Sequence, residues 1–206
     1  MKAVLISMQP KWCERIYHII RHGDDGIPFY EKSVEIRKTK PKIKTPFVCY
    51  IYQTRMKWAY ALLRTLKLDK LADALLKGLG KVVGEFVCDK IYDIIPHYDI
   101  PNFCNQYECR WKPEEAEACL SFEELNLYLG GKNGFGWHIS ELVLYDEPLP
   151  LSSFYHKCEK MQCEGCEHLK YQQVNSDEHD YDCEYLGGNV PLVRPPQSWC
   201  YVEELK

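Results

Sequence analysis

"KSVEIRK" (residues 32–38) opens the longer stretch "EKSVEIRKTKPKIK" (residues 31–44), which packs six cations into fourteen positions of a chain whose net charge is −4. Val34 and Ile36 alternate with Ser33, Glu35 and Arg37. Strand side chains repeat every second residue, so this pattern predicts a strand with one apolar face and one polar face that carries Glu35 and Arg37 together. Past it, Pro41 interrupts regular structure, and "KTKPKIK" (residues 38–44) is predicted to be a loop presenting Lys38, Lys40, Lys42 and Lys44.

Working outward, "KAVLIS" (residues 2–7) is a short apolar run with β-branched members, as a buried strand requires. Pro10 occupies a first helical position, and Trp12, Ile16, Ile19 and Ile20 follow at one-face spacing, predicting a helix that "HGDDG" (residues 22–26) stops. "PFVCYIYQT", "GKVVGEFVCDKIYDII", "FGWHISELVLYDEP" and the terminal "PPQSWCYVEE" each predict a strand. "LSFEELNLYLGG" predicts a short helix: Ser121 as N-cap, Glu124 closing a capping box, Leu120 and Leu125 as the staple, and Gly130 at the end. Residues 55–79 have the periodicity of basic amphipathic helices. Strands outnumber helices, which predicts an α+β, mainly β fold: a small, mostly antiparallel barrel with peripheral helices.

At 206 residues, 46% hydrophobic and 13% aromatic, the chain is long and apolar enough for a globular core. No apolar run reaches the ~20 residues of a bilayer span, and "MKAVLISMQPKW" lacks the small-residue cleavage site of a signal peptide. A cytoplasmic location without membrane association is therefore expected. The charge is unevenly spread, with residues 1–81 at +10 and residues 82–206 at −14. A basic half backed by an acidic one suits a polyanion-binding face, and equally a dipolar surface without a ligand.

Eleven cysteines in such a chain favour thiols or metal ligands over disulfides. Cys158, Cys163, Cys166 and Cys183 are spaced C-x4-C-x2-C-x16-C, which predicts a closed, structural zinc site, with His156, His168 and His179 as alternative ligands. Similar spacing occurs in plant-type iron–sulfur ligation, and free thiols in a loop are the third possibility. Cys13, Cys49, Cys88 and Cys200 lie in apolar contexts and are expected in the core, as is Trp137, with His138 a structural neighbour.

In order along the chain, "LISMQPKWCERI", "KSVEIRK", "GKVVGEF" and "GWHIS" resemble the ASCH domain family of the PUA-like superfamily, and the tail resembles the closing strand of its larger phage- and prophage-type members. Lys32, Glu35 and Arg37 match the last three positions of that family's G-x-K-x-x-E-x-R signature, whereas the glycine is not two residues before Lys32. The resemblance implies a pseudo-barrel over residues 1–150 with a helical insertion at 55–79, a Cys-rich insertion at 151–190, and a closing strand within 191–206. It also implies a cleft lined by the signature strand and the first helix, with RNA or a nucleotide-like moiety as ligand. Some small members resemble amidohydrolases of N4-acylated cytidine, and there a threonine stands at the position of Glu35.

The residues carry their own chemistry. Lys32 and Arg37 are cationic donors for phosphate, Glu35 is an acceptor for an exocyclic amine, and Trp12 is a stacking face for an unpaired base. Lys38, Lys40 and Lys42 would be phosphate contacts at the rim without base specificity. The simpler alternative has Glu35 and Arg37 pairing at a surface, without a ligand. Three functions are compatible: a module binding RNA or a modified nucleotide; an amidohydrolase using Lys32 as base or nucleophile; and a phage protein that sequesters a nucleotide signal or a host partner. No nucleophile–histidine pattern and no P-loop is readable.

Overall fold

The computed structural model of the chain describes residues 2–17, 19–22, 28–30, 32–55, 76–94, 118–120, 122–157 and 188–205. Twelve strands are described: β1 (Lys2–Met8), β2 (Ile19–His22), β3 (Pro28–Tyr30), β4 (Val34–Arg37), β5 (Phe47–Gln53), β6 (Lys81–Cys88), β7 (Ile91–Ile94), β8 (Gly134–His138), β9 (Ser140–Pro150), β10 (Tyr155–Lys157), β11 (Asn189–Pro191) and β12 (Trp199–Glu203). Among the described residues two complete α-helices accompany them, α1 (Pro10–Tyr17) and α2 (Phe122–Leu129), with a 3-10 turn at Leu151–Ser153 and helical residues at 76–78. The α+β, mainly β class read from the sequence is the class observed. No helix among the described residues is long and apolar enough to cross a membrane.

Two sheets position the site. The larger runs β12-β1-β5-β6-β9 and the smaller β4-β8-β7. All pairings are antiparallel except β1 with β5, which is parallel. Ala3, Val4, Leu5 and Ile6 are fully buried because β1 lies inside its sheet with both faces covered. Its alternation splits the core. Val4, Ile6 and Met8 join Cys49, Ile51, Cys13, Ile16 and Trp137 in a cluster shared by the large sheet, β8 and α1. Ala3 and Leu5 join Tyr50, Tyr52 and Phe154 in a second cluster. A third cluster sets Val34 and Ile36 of β4 against Ile94, Ala118, Leu125 and Leu129. β4 thus turns its apolar face to α2, as its alternation requires.

Three expectations are corrected. The first helix ends at Tyr17, and Ile19 lies in β2, paired with Tyr30 of β3; adjacent β-branched residues favour the strand. The run from Gly80 divides into β6 and β7, which belong to different sheets, and "FGWHISELVLYDEP" divides likewise into β8 and β9. The two breaks lie side by side: the His138 amide donates to the Lys90 carbonyl at 2.9 Å, and His138 Nδ1 lies 2.6 Å from Asp89 Oδ1. At that corner the chain leaves one sheet for the other twice.

The α2 helix stops where the sequence predicts. It ends at Gly130, whose φ of +63° is the left-handed conformation that favours glycine, and whose amide bonds the Asn126 carbonyl. The ladder of β10 with β11 joins residues on either side of 158–187. That Cys-rich stretch, the predicted N-cap Ser121 and most of the predicted helical insertion, residues 56–75, lie outside the described residues.

Candidate functional site

The polar face of β4 looks into the space between the two sheets. Glu35 lies opposite Trp137 across the β4–β8 ladder, and Arg37 opposite Phe135. Just before the strand, the Lys32 amide donates to the Arg15 carbonyl at the end of α1, and the Ser33 carbonyl accepts from the Ile139 amide. These bonds fix where the Lys32 side chain starts.

Lys32, Glu35 and Arg37 are all buried, at 2%, 6% and 4% exposure. Glu35 is the centre. Its Oε1 lies 2.8 Å from Arg37 Nη2 and its Oε2 lies 3.3 Å from Lys32 Nζ. Two cations around one carboxylate leave a surplus positive charge, which backbone carbonyls stabilise. Lys32 Nζ donates to Ala118 O at 2.8 Å, Arg37 Nη2 to Ser7 O at 2.9 Å, and Arg37 Nη1 to Ser198 O at 3.1 Å. Burying charge demands such satisfaction, because desolvation otherwise outweighs the ion-pair attraction. Arg37 Nε and the indole nitrogen of fully buried Trp137 have no hydrogen-bond partner among the described residues.

The surroundings are apolar and reduced in character. Burial drives the Cys13 thiol far above its ordinary range; Glu35 raises it further, while Lys32 and Arg37 pull the other way. Burial likewise raises the Cys49 thiol and lifts Cys88 to about 12; Cys200, which packs on the opposite face of the large sheet, is lifted to about 11. Burial of this kind favours the neutral thiol over the nucleophilic thiolate.

Two partly exposed aromatic rings border the cluster. Trp12 of α1 lies at the Lys32 end, its ring centre 5.3 Å from Lys32 Nζ and 4.3 Å from Lys11 Nζ. Tyr128 of α2 lies at the Arg37 end: burial raises its phenol, with Arg37 opposing and Glu35 adding to the shift. Lys38 Nζ sits 5.3 Å from the Tyr128 ring centre. Lys40 is exposed, 4.7 Å from the Phe135 ring centre and 3.5 Å from the Asp93 carboxylate. The Lys42 side chain is exposed too.

The structure therefore brings Lys32, Glu35, Arg37 and Trp12 together, and leaves Lys38, Lys40 and Lys42 on the surface beside them. Glu35 and Arg37 do pair with each other, but in the interior. Trp137 is core, and His138 pairs with Asp89 at the sheet corner. Cys158, Cys163, Cys166 and Cys183 lie outside the described residues, and no group of metal-ligating side chains is found among the described ones. The carbonyls of Ser7, Ala118 and Ser198, and the ring of Tyr128, were not anticipated. Carbonyls leave no trace in residue type, whereas Tyr128 was visible as an aromatic residue on a predicted helix.

No family model matches the chain, and no curated protein matches it. Among solved structures, it is similar to the ASCH protein of Zymomonas mobilis, at 17% identity and a TM-score of 0.45, covering 98% of this chain and 88% of that one. Two single-residue mutants of that protein are similar too. A serine-to-alanine mutant gives 16% identity and a TM-score of 0.46, covering 98% of this chain and 89% of that one. A tyrosine-to-phenylalanine mutant gives 15% and 0.42, covering 99% and 92%. These are proteins of the family that the order of motifs resembles.

Proposed function

We propose that the chain is a binding module for RNA or a nucleotide-like ligand, with the buried cluster as the floor of the site and the aromatic–lysine pairs as its contact surface. The observation that carries this reading is the pairing of Trp12 with Lys11 and of Tyr128 with Lys38 at the two ends of the cluster. Proteins that hold single-stranded nucleic acid combine rings that stack on bases with cations that follow the phosphates. The basic loop at residues 38–44 continues the cationic surface from the Arg37 end.

A binding role also fits Lys32 better than hydrolysis does. A lysine that acts as base or nucleophile must offer a lone pair. Here Lys32 Nζ donates to Ala118 O and pairs with Glu35, so it serves as a donor. Glu35, with each oxygen facing a cation, holds the floor together and is not offered to a ligand amine.

Trp12→Ala tests the reading. Removing one stacking face should weaken binding of a short single-stranded RNA by ~1–3 kcal/mol, and binding to the wild type should quench tryptophan fluorescence. Undiminished affinity in Trp12→Ala together with Tyr128→Ala would refute it.

A further inference from the structure

The exit from β4 and the C-terminal strand run side by side, joined at three successive points. Arg37 Nη1 donates to Ser198 O, the Trp199 indole N–H donates to Thr39 Oγ1 at 3.0 Å, and the Lys42 amide donates to Tyr201 Oη at 2.7 Å. Residues 37, 39 and 42 thus meet residues 198, 199 and 201 in order. The terminal segment is itself fastened to β1. Ser198 O accepts from the Ser7 amide at 2.9 Å, Ser7 Oγ donates to Pro196 O at 2.6 Å, and β12 pairs with β1 from Ile6↔Trp199 to Lys2↔Glu203. Trp199 is held sideways as well, its ring 5.4 Å from that of Tyr201 and 6.0 Å from that of Trp137.

This attachment sorts the loop's side chains. Pro41 is buried and Ile43 packs against the core between the sheets, while Lys38, Lys40, Lys42 and Lys44 stay exposed. A charged segment left to itself repels itself and spreads. Ordering such a segment on a ligand costs conformational entropy that an ordered one has already lost.

We infer that the terminal strand is a positioning element, holding residues 38–44 as a preformed cationic ridge for the phosphates of a single-stranded RNA, with Trp199 and Tyr201 as the positioning residues. The role rests on the RNA reading. Lysines arranged so are point-charge contacts to phosphate that do not distinguish bases. The ridge accordingly sets affinity, and sequence preference falls to the rings beside it.

The test is Tyr201→Phe, which keeps the ring and removes the hydroxyl, with Trp199→Phe as a second variant. Two measurements are made on the full chain: hydrogen exchange at the Lys42 amide, and affinity for a short oligouridine over a range of salt. The variant should speed exchange at Lys42 and leave the β1 and β5 amides protected. Affinity should fall roughly 3- to 10-fold, the size of one neutral hydrogen bond, with an unchanged salt slope because no cation has been removed. Unchanged exchange at Lys42 would overturn the attachment whatever RNA does. Faster exchange with unchanged affinity would overturn the positioning role. A wild type that binds no oligouridine would overturn the RNA reading, and the exchange result would still decide whether the strand holds the loop.

Discussion

Residues 32–37 and 38–44 adjoin in the chain and are alike in being rich in cations, but the protein treats them oppositely. Lys32 and Arg37 are drawn into the interior around Glu35, where carboxylate and carbonyl oxygens meet their donors. Lys38, Lys40, Lys42 and Lys44 stay in water, with aromatic rings beside Lys38 and Lys40. Residue type does not separate the groups. The separation comes from strand alternation, which points residues 35 and 37 between the sheets, and from the oxygens waiting there. A cation is buried where its partners are already in place, and left outside where burial would strip its water without replacement.

The contrast is most sharply broken by Glu35→Ala. Two buried cations would be left without the carboxylate between them, and breaking a buried pair in this way costs about 3–5 kcal/mol. Urea denaturation should show the midpoint falling accordingly; a destabilisation under about 1 kcal/mol would mean that the cluster is not the interior support described here.

Arg37→Lys should have the next largest effect. It keeps the charge but not the planar fork that reaches Glu35, Ser7 and Ser198 together, so stability should fall by ~1–3 kcal/mol. Stability equal to wild type would show that charge alone holds the two sheets at that point. The counterpart outside is Lys40→Glu with Lys42→Glu. Both side chains are exposed, and stability should change by no more than about 0.5 kcal/mol. A large drop in stability would erase the difference between the two groups.

The strand, its two faces and the companionship of Glu35 with Arg37 were legible in "KSVEIRK", because period-2 alternation is a property of residue order. The burial of the charges was not. Ala118 lies 86 residues from Lys32 and Ser198 lies 161 from Arg37, and what they supply is backbone. The sheet corner was illegible for another reason: the apolar runs pass through Asp89, Lys90 and Ile139 without a proline or glycine to mark where each strand changes sheets. Ile19 fitted the helical spacing and a strand equally well, and the pairing with β3 decided. The basic loop was placed correctly from Pro41, but its attachment to Trp199 and Tyr201 depends on how the far end of the chain returns.

The central claim is a division of labour, with the buried charges holding the fold and the exposed ones holding an anionic strand. It is tested most directly by titrating a short single-stranded RNA against the wild type and against Lys40→Glu with Lys42→Glu over a range of salt. The wild-type affinity should fall steeply as salt rises, and the variant should bind every sequence more weakly, with a slope shallower by ~0.7 for each phosphate that is no longer neutralised. Affinity indifferent both to salt and to the two substitutions would contradict the claim.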